Sequence, residues 1–201
     1  MRSIFNFIVT PKAERYNNKK AIGEKELILN TEISDFRYIS RNAIVLETPL
    51  EGKTDIKKGD EVIVHHNVFR RWHDVRGNEK NSKSFIDEDH YFIQDDQIFL
   101  YKRNGKWNAP KGYCFVKPIK SNDNFSVEHE RPLIGVIKYV DKSLLKNGIK
   151  PGDLVGFTPS SEYEFIVDGE RMYRVLTNSI SIKYEYQGDE VEYNPSWLQS
   201  S

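Results

Sequence analysis

Apolar positions along this chain come in short runs, and the runs keep the period of a strand. "SIFNFIV", "NAIVLE", "DEVIVHH", "YFI", "QIFLY", "YCFV", "LIGVIKYV", "DLVGF", "YEFIV", "MYRVL" and "SISIKYEY" are rich in β-branched and aromatic residues, with Gly, Pro, Asn and Asp between them. Ile180, Ile182 and Tyr184 alternate with Ser179, Ser181 and Lys183, which predicts a strand with one buried face. Only "DKSLLKNG" (141–148) reads as helix, for about one turn. Many short strands without long helices predict an all-β fold of small barrels or sandwiches.

The pattern repeats. "KKGDEVIV" (57–64) returns as "KPGDLVGF" (150–157), and "RNAIVLE" from Arg41 as "RPLIGVI" from Arg131. "FIVTP" ending at Pro11 returns as "CFVKP" ending at Pro118, and "YFIQDDQIFLY" from Tyr91 as "YRVLTNSISIKY" from Tyr173. Four matched pieces in one order predict a tandem duplication, because any single piece could arise by chance. The expected organisation is a first β-domain over 1–103, a connector at 104–112, a second β-domain over 113–187 and a polar tail at 188–201. Gly59 and Gly152 permit a positive φ, Asp60 and Asp153 can hold the turn amides, and Val62 and Val155 then face the core.

One stretch fits the strand pattern poorly. "YNNKKAIGEKELILNTEISDF" (16–36) is polar and lysine-rich until Leu27, Ile28 and Leu29 appear together. Two readings are open. The triplet is a hydrophobic hook on a solvated loop, or "ELILNTEI" is a strand with Leu27, Leu29, Thr31 and Ile33 on one face. The abrupt start after Glu26, and the run of Asn17, Asn18, Lys19, Lys20, Glu24 and Lys25 before it, favour the hook.

Composition narrows the function. The 201 residues carry 30 basic and 30 acidic side chains, so no global field attracts nucleic acid or anionic membrane. Cys114 is the one cysteine, which excludes an internal disulfide or a cysteine metal cluster and fits a reducing compartment. No signal h-region or spanning segment is evident, and a soluble cytoplasmic protein is expected. His65, His66 and His73 are crowded, but adjacent histidines on a strand face opposite sides and no cysteine or carboxylate stands at ligand spacing, so no metal is expected. The segment 68–77, with Arg70, Arg71, Trp72 and Arg76, reads as a hairpin tip or contact surface. The carboxylates of "FIDEDH" and "IQDDQ" read as solvated turns. No phosphate loop, nucleotide fingerprint, nucleophile elbow or zinc set is present, so neither enzyme nor cofactor is expected.

The order strand–Val-x-Pro, loop, strand after Arg, Gly-Asp-x-Val turn, then a closing strand ending Ile-x-Ile resembles the GroES-type co-chaperonin family. The second copy carries it from Cys114 to Ile182, and the first through "FIVTP", "KKGDEVIV" and "DDQIFLY". The resemblance implies two tandem, partly open β-barrels. It also implies a homo-oligomeric ring that caps a GroEL-type chaperonin through an aliphatic tripeptide on a long loop. Here that loop spans 12–40 and the tripeptide position falls on Leu27, Ile28 and Leu29, with Lys25 and Glu26 where the family has paired glycines. Burying three aliphatic side chains contributes about 5–8 kcal/mol before the ordering cost, which suits transient binding. The rival expectation is a structural or virion assembly protein that keeps the fold without a chaperonin partner. A nucleic-acid-binding barrel is third, disfavoured by the balanced charge.

Overall fold

The computed structural model describes residues 2–16, 19–22, 25–28, 38–122 and 129–194. The chain divides into two compact units, Met1–Trp107 and Asn108–Ser201. The first holds β1 (Phe7–Pro11), β2 (Lys19–Ile22), β3 (Lys25–Ile28), β4 (Asn42–Glu47), β5 (Glu61–Val64), β6 (Arg71–His73), β7 (Glu79–Asn81), β8 (Phe85–Asp87), β9 (His90–Ile93), β10 (Ile98–Arg103) and β11 (Lys106–Asn108). Seven of these form one sheet in the order β11-β10-β5-β4-β1-β9-β8, while β2–β3 and β6–β7 are separate two-stranded ribbons. The second unit holds β12 (Tyr113–Lys120), β13 (Glu130–Tyr139), the short helix α1 (Lys142–Lys146), β14 (Leu154–Phe157), β15 (Glu162–Val167), β16 (Glu170–Leu176) and β17 (Ile180–Tyr184). Its sheet runs β15-β16-β12-β13-β14-β17. The protein is all-β apart from α1 and short 3₁₀ turns.

The two sheets have one topology. Reading β8-β9-β1-β4-β5-β10 beside β15-β16-β12-β13-β14-β17, each strand of the first unit has its counterpart in the second. The match extends to individual residue pairs. Val9 faces Val45 and Pro11 faces Ala43 in the first sheet, as Val116 faces Ile137 and Pro118 faces Gly135 in the second. Both pairings carry a register shift at the same place, between Ile8 and Val9 and between Phe115 and Val116. Tyr91 opposite Val9 corresponds to Tyr173 opposite Val116.

The Gly-Asp turn is built identically in both units. Gly59 (φ 86°) and Gly152 (φ 94°) occupy the left-handed region that a side chain would strain. Gly59 N–H donates to Val45 O at 2.8 Å, and Gly152 N–H to Ile137 O at 2.8 Å. The Asp60 carboxylate accepts from Lys57 N–H at 2.8 Å and the Asp153 carboxylate from Lys150 N–H at 2.9 Å. Each carboxylate also meets a cation from the closing strand: Arg103 Nε at 3.1 Å on Asp60, and Lys183 Nζ at 2.8 Å on Asp153. Val62 and Val155 are fully buried beyond these turns.

Both sheets are strongly curled. In the first, β9 and β10 stand four strand spacings apart, about 19 Å if flat. Only residues 94–97 join them, part of them a 3₁₀ turn, and even a fully extended link would reach only about 17 Å. The sheet must therefore coil to bring those ends together. The link from β16 to β17 imposes the same bend through residues 177–179. Neither sheet closes into a barrel, because these links join the strands by chain and not by ladder hydrogen bonds. Free edges remain at β8 and β11 in one sheet and at β15 and β17 in the other.

Several expectations change here. Residues 106–108, inside the stretch read as a connector, form the edge strand β11 on β10. Among the described residues no strand lies beyond β17 in the second sheet, and Ile182 and Tyr184 stay 50% and 37% exposed instead of lining a buried face. Cys114 lies in the second core, where burial pushes its thiol up to about 12 and leaves it unreactive. Among the described residues no helix is long and apolar enough to cross a membrane.

Of the glycines, Gly135 is the most tightly enclosed: a Cβ there would stand 2.4 Å from Lys117 O and 2.5 Å from Val116 Cγ1. Gly135→Ala is expected to lower stability by about 1–3 kcal/mol, read as a lower urea midpoint. An unchanged midpoint contradicts this packing.

Candidate functional site

The long loop of the first unit leaves the sheet through a pinned root. Lys12 N–H donates to Asn42 O at 3.0 Å and Ser40 N–H to Arg15 O at 2.9 Å, and Tyr16 bridges Ile39. Tyr16, Ile39 and Ser40 are all buried. Beyond the root, β2 and β3 pair antiparallel, with Lys20 opposite Leu27 and Lys19 opposite Ile28. The backbone at Leu27 and Ile28 is thus extended and paired in a ribbon hydrogen-bonded to neither large sheet. Leu29 lies outside the described residues.

The root is fastened to the second excursion of this unit. Arg71 N–H donates to the Tyr16 hydroxyl at 2.8 Å, and the Arg71 guanidinium lies 4.8 Å from the Tyr16 ring centroid. Arg15 reaches across to Phe69 O at 3.2 Å and Asn81 Oδ1 at 2.9 Å, and pairs with Glu88 at 3.4 Å. Its guanidinium stacks over Phe85 at 5.4 Å and Tyr91 at 5.2 Å. The cations noted in segment 68–77 divide accordingly: Arg71 serves the loop root, while Arg70 lies 5.8 Å from the Trp72 ring. That segment leads into the β6–β7 hairpin, whose tip is an Asp74 turn with Val75 fully exposed.

The histidines depart from expectation. β5 ends at Val64, and His65 caps a 3₁₀ turn by accepting from Asn67 N–H at 3.1 Å. The turn brings the His65 and His66 rings to 4.2 Å where a strand would have separated them. Burial foremost, and then the neighbouring His65, hold His66 down at about 4, so it is neutral at physiological pH. Among the described residues no three His, Cys, Asp or Glu side chains converge as a metal cluster would.

The second unit replaces the long loop with a short one, residues 121–129, of which Phe125 and Val127 lie outside the described residues. Its root is held by the C-terminal segment, which folds back as a strap; Trp197 and Leu198 also lie outside the described residues. Lys120 N–H donates to Val191 O at 2.7 Å and Tyr193 N–H to Pro118 O at 2.8 Å, with Glu192 bridging Ile119. Asp189 pairs with Arg131 at 2.8 Å, and Glu192 with Lys117 at 3.3 Å and with Lys138. Lys117 is itself buried and also pairs with Glu170 at 3.2 Å. The tail was legible as polar; its pairing with β12 was not, because no apolar alternation marks residues 188–194. Compared with known proteins, the chain matches no protein-family model and no curated protein sequence.

Burial raises the Glu192 carboxyl, but hydrogen bonds and charge from Lys138 and Lys117 outweigh it and hold the group below its ordinary 4.5. A depressed carboxyl stabilises the folded strap fully above its ordinary value, and that contribution is lost as pH falls through the lowered one. Amide protection at Tyr193 and Lys120, corrected for intrinsic exchange, is expected to hold above pH 4.5 and to fall in more acid solution. Glu192→Gln is expected to remove that acid step.

Proposed function

We propose that this chain is a non-enzymatic, GroES-like ring subunit that engages a chaperonin through Leu27, Ile28 and Leu29 and caps its chamber. The observation that carries the reading is the ribbon: among the described residues β3, bearing Leu27 and Ile28, pairs with β2 alone and belongs to neither large sheet. A two-stranded ribbon outside a larger sheet is marginal by itself and gains from a partner surface. Lys19 and Lys20 stand opposite Ile28 and Leu27 in the ribbon's register, so the aliphatic pair is flanked in sequence and register by charged residue types. The duplicated, curled sheets supply the GroES-like part of the proposal, with each unit standing for one barrel-like module and their free edges covered by ring neighbours. Binding here needs no cofactor, metal, nucleic acid or membrane.

The rival is a structural or virion assembly protein of the same fold. It takes support from the asymmetry of the copies, since among the described residues a separate ribbon with aliphatic positions occurs in the first unit and not in the second. Replacing Leu27, Ile28 and Leu29 together by serine separates the readings. The proposal expects unchanged melting temperature and loss of nucleotide-dependent capture by a chaperonin of the same source. A loss of several kcal/mol instead assigns the triplet to a packed core. No capture by the unmodified chain favours the structural rival. Sedimentation is expected to give a closed ring of three or four chains, because each supplies two modules; monomer alone at micromolar concentration overturns the ring.

A further inference from the structure

The register match between the units exposes a difference at one place. In the second unit, pairing of β12 with β16 ends at Val116–Tyr173, and the strap Val191–Tyr193 fills the space beyond by pairing with Pro118 and Lys120. In the first unit, pairing of β1 with β9 ends at the equivalent pair, Val9–Tyr91. The space beyond is an open cleft of about 480 Å³, bordered by Pro11 and Ala13 on one side and by Glu88 and Asp89 on the other. That volume is within the range of ligand pockets, roughly 300–1,000 Å³.

The backbone along the cleft is set to accept a strand. Antiparallel strands turn alternate residues' polar groups to opposite sides. Lys12 N–H goes to Asn42 O on β4, so Pro11 C=O and Ala13 N–H face the cleft. Their register equivalents are Pro118 C=O and Lys120 N–H, the two groups that hold the strap in the second unit. Among the described residues neither Pro11 C=O nor Ala13 N–H has a hydrogen-bond partner from the cleft side.

Charge selects the occupant. The strap's Glu192 is held by Lys117 and Lys138, and the register-equivalent positions of the first unit are Thr10 and Leu46. The cleft instead presents Glu14, Glu88 and Asp89, while its two guanidiniums, Arg15 and Arg71, are already paired with Glu88 and Glu79. An acidic strand, including the strap of a second copy, meets three carboxylates there against two guanidiniums that already hold ion pairs.

We infer that this cleft is a docking slot for an extended segment of a partner protein bearing lysine or arginine, added as a strand along Pro11–Ala13. Main-chain hydrogen bonds to Pro11 C=O and Ala13 N–H supply the register, and the carboxylate excess of the lining, Asp89 foremost, selects basic side chains. The slot is distinct from the aliphatic ribbon and does not depend on chaperonin binding.

Two labelled peptides test it on the full chain by fluorescence anisotropy: the strap sequence EVEYN, and KVKYN with both glutamates replaced by lysine. KVKYN is expected to bind about tenfold more tightly, the order of one to two favourable charge contacts. Saturating KVKYN is expected to slow hydrogen exchange at Ala13, a readout that needs no variant. Thr10→Lys with Asp89→Lys, which restores a cation at the position of Lys117 and removes an acid, is expected to reverse the preference. Equal affinities, tighter binding of EVEYN to the unmodified chain, or an unchanged Ala13 amide overturns the proposal.

Discussion

The constraint on which both units depend is the length of one connection. Residues 94–97 and 177–179 must carry the chain from one side of a sheet to a strand four places away. No flat sheet satisfies that reach, so the sheet coils, and its concave side encloses the core. The Gly-Asp turn then ties the corner at which β5 and β14 begin. Gly59 and Gly152 bond back to β4 and β13, and the aspartate beside each one draws a cation from the strand the connection delivers. A carboxylate that organises turn amides and a facing cation together ties three strands at one corner. Burial raises the Asp153 carboxyl, but its hydrogen bonds and charges from Lys183 and Lys150 hold it below the ordinary range, as expected of a group kept ionised for structure.

What could be read in the sequence follows from how local each signal is. Gly59–Asp60 and Gly152–Asp153 are turns written within four residues, and they were legible for that reason. The repeat was legible because four such local signals recur in order. β11 was not, since its three residues, Lys106–Asn108, show no alternation and stabilise only by covering β10. The exposure of Ile182 and Tyr184 was hidden for the converse reason. Alternation reports that one face of β17 is apolar, but not whether a further strand lies beside it. The tyrosine ring does find a use: it packs over Gly156, whose missing side chain leaves room for it. The stacking of His65 on His66 escaped detection because it depends on β5 ending at Val64, two residues before the end of the strand-like run.

The pinned root of the ribbon was also invisible locally. Arg15 and Tyr16 lie in a stretch that reads as the start of a polar loop, yet Arg15 reaches Phe69, Asn81 and Glu88, more than fifty positions away. Its planar guanidinium suits this task, stacking on Phe85 and Tyr91 while its donors fan out to three acceptors. Burial around it pushes the Tyr91 hydroxyl up to about 12, so this aromatic floor stays neutral. A loop whose two ends are held this firmly can vary at its tip without disturbing the sheet, which separates the requirements of folding from those of binding.

The two copies thus resolve the same corner differently. At Tyr173 the second unit closes it with its own chain: Glu130 accepts from the Tyr173 hydroxyl, Arg171 pairs with Glu130, and the strap lies over both β12 and the short loop's root. At Tyr91 the first unit spends the equivalent arginine contact on fastening a long ribbon, and the strand position beside β1 stays open. Sheet edges left open are normally blunted by charge or covered, because they recruit strands indiscriminately. Here the opening is short, acidic and recessed between β1 and the Asp87–Asp89 turn, which limits what can pair with it. The duplication keeps the register of the buried strands in both units while one edge is covered and the other open, so the difference between the copies lies at the edge and not in the strand pairing of the core.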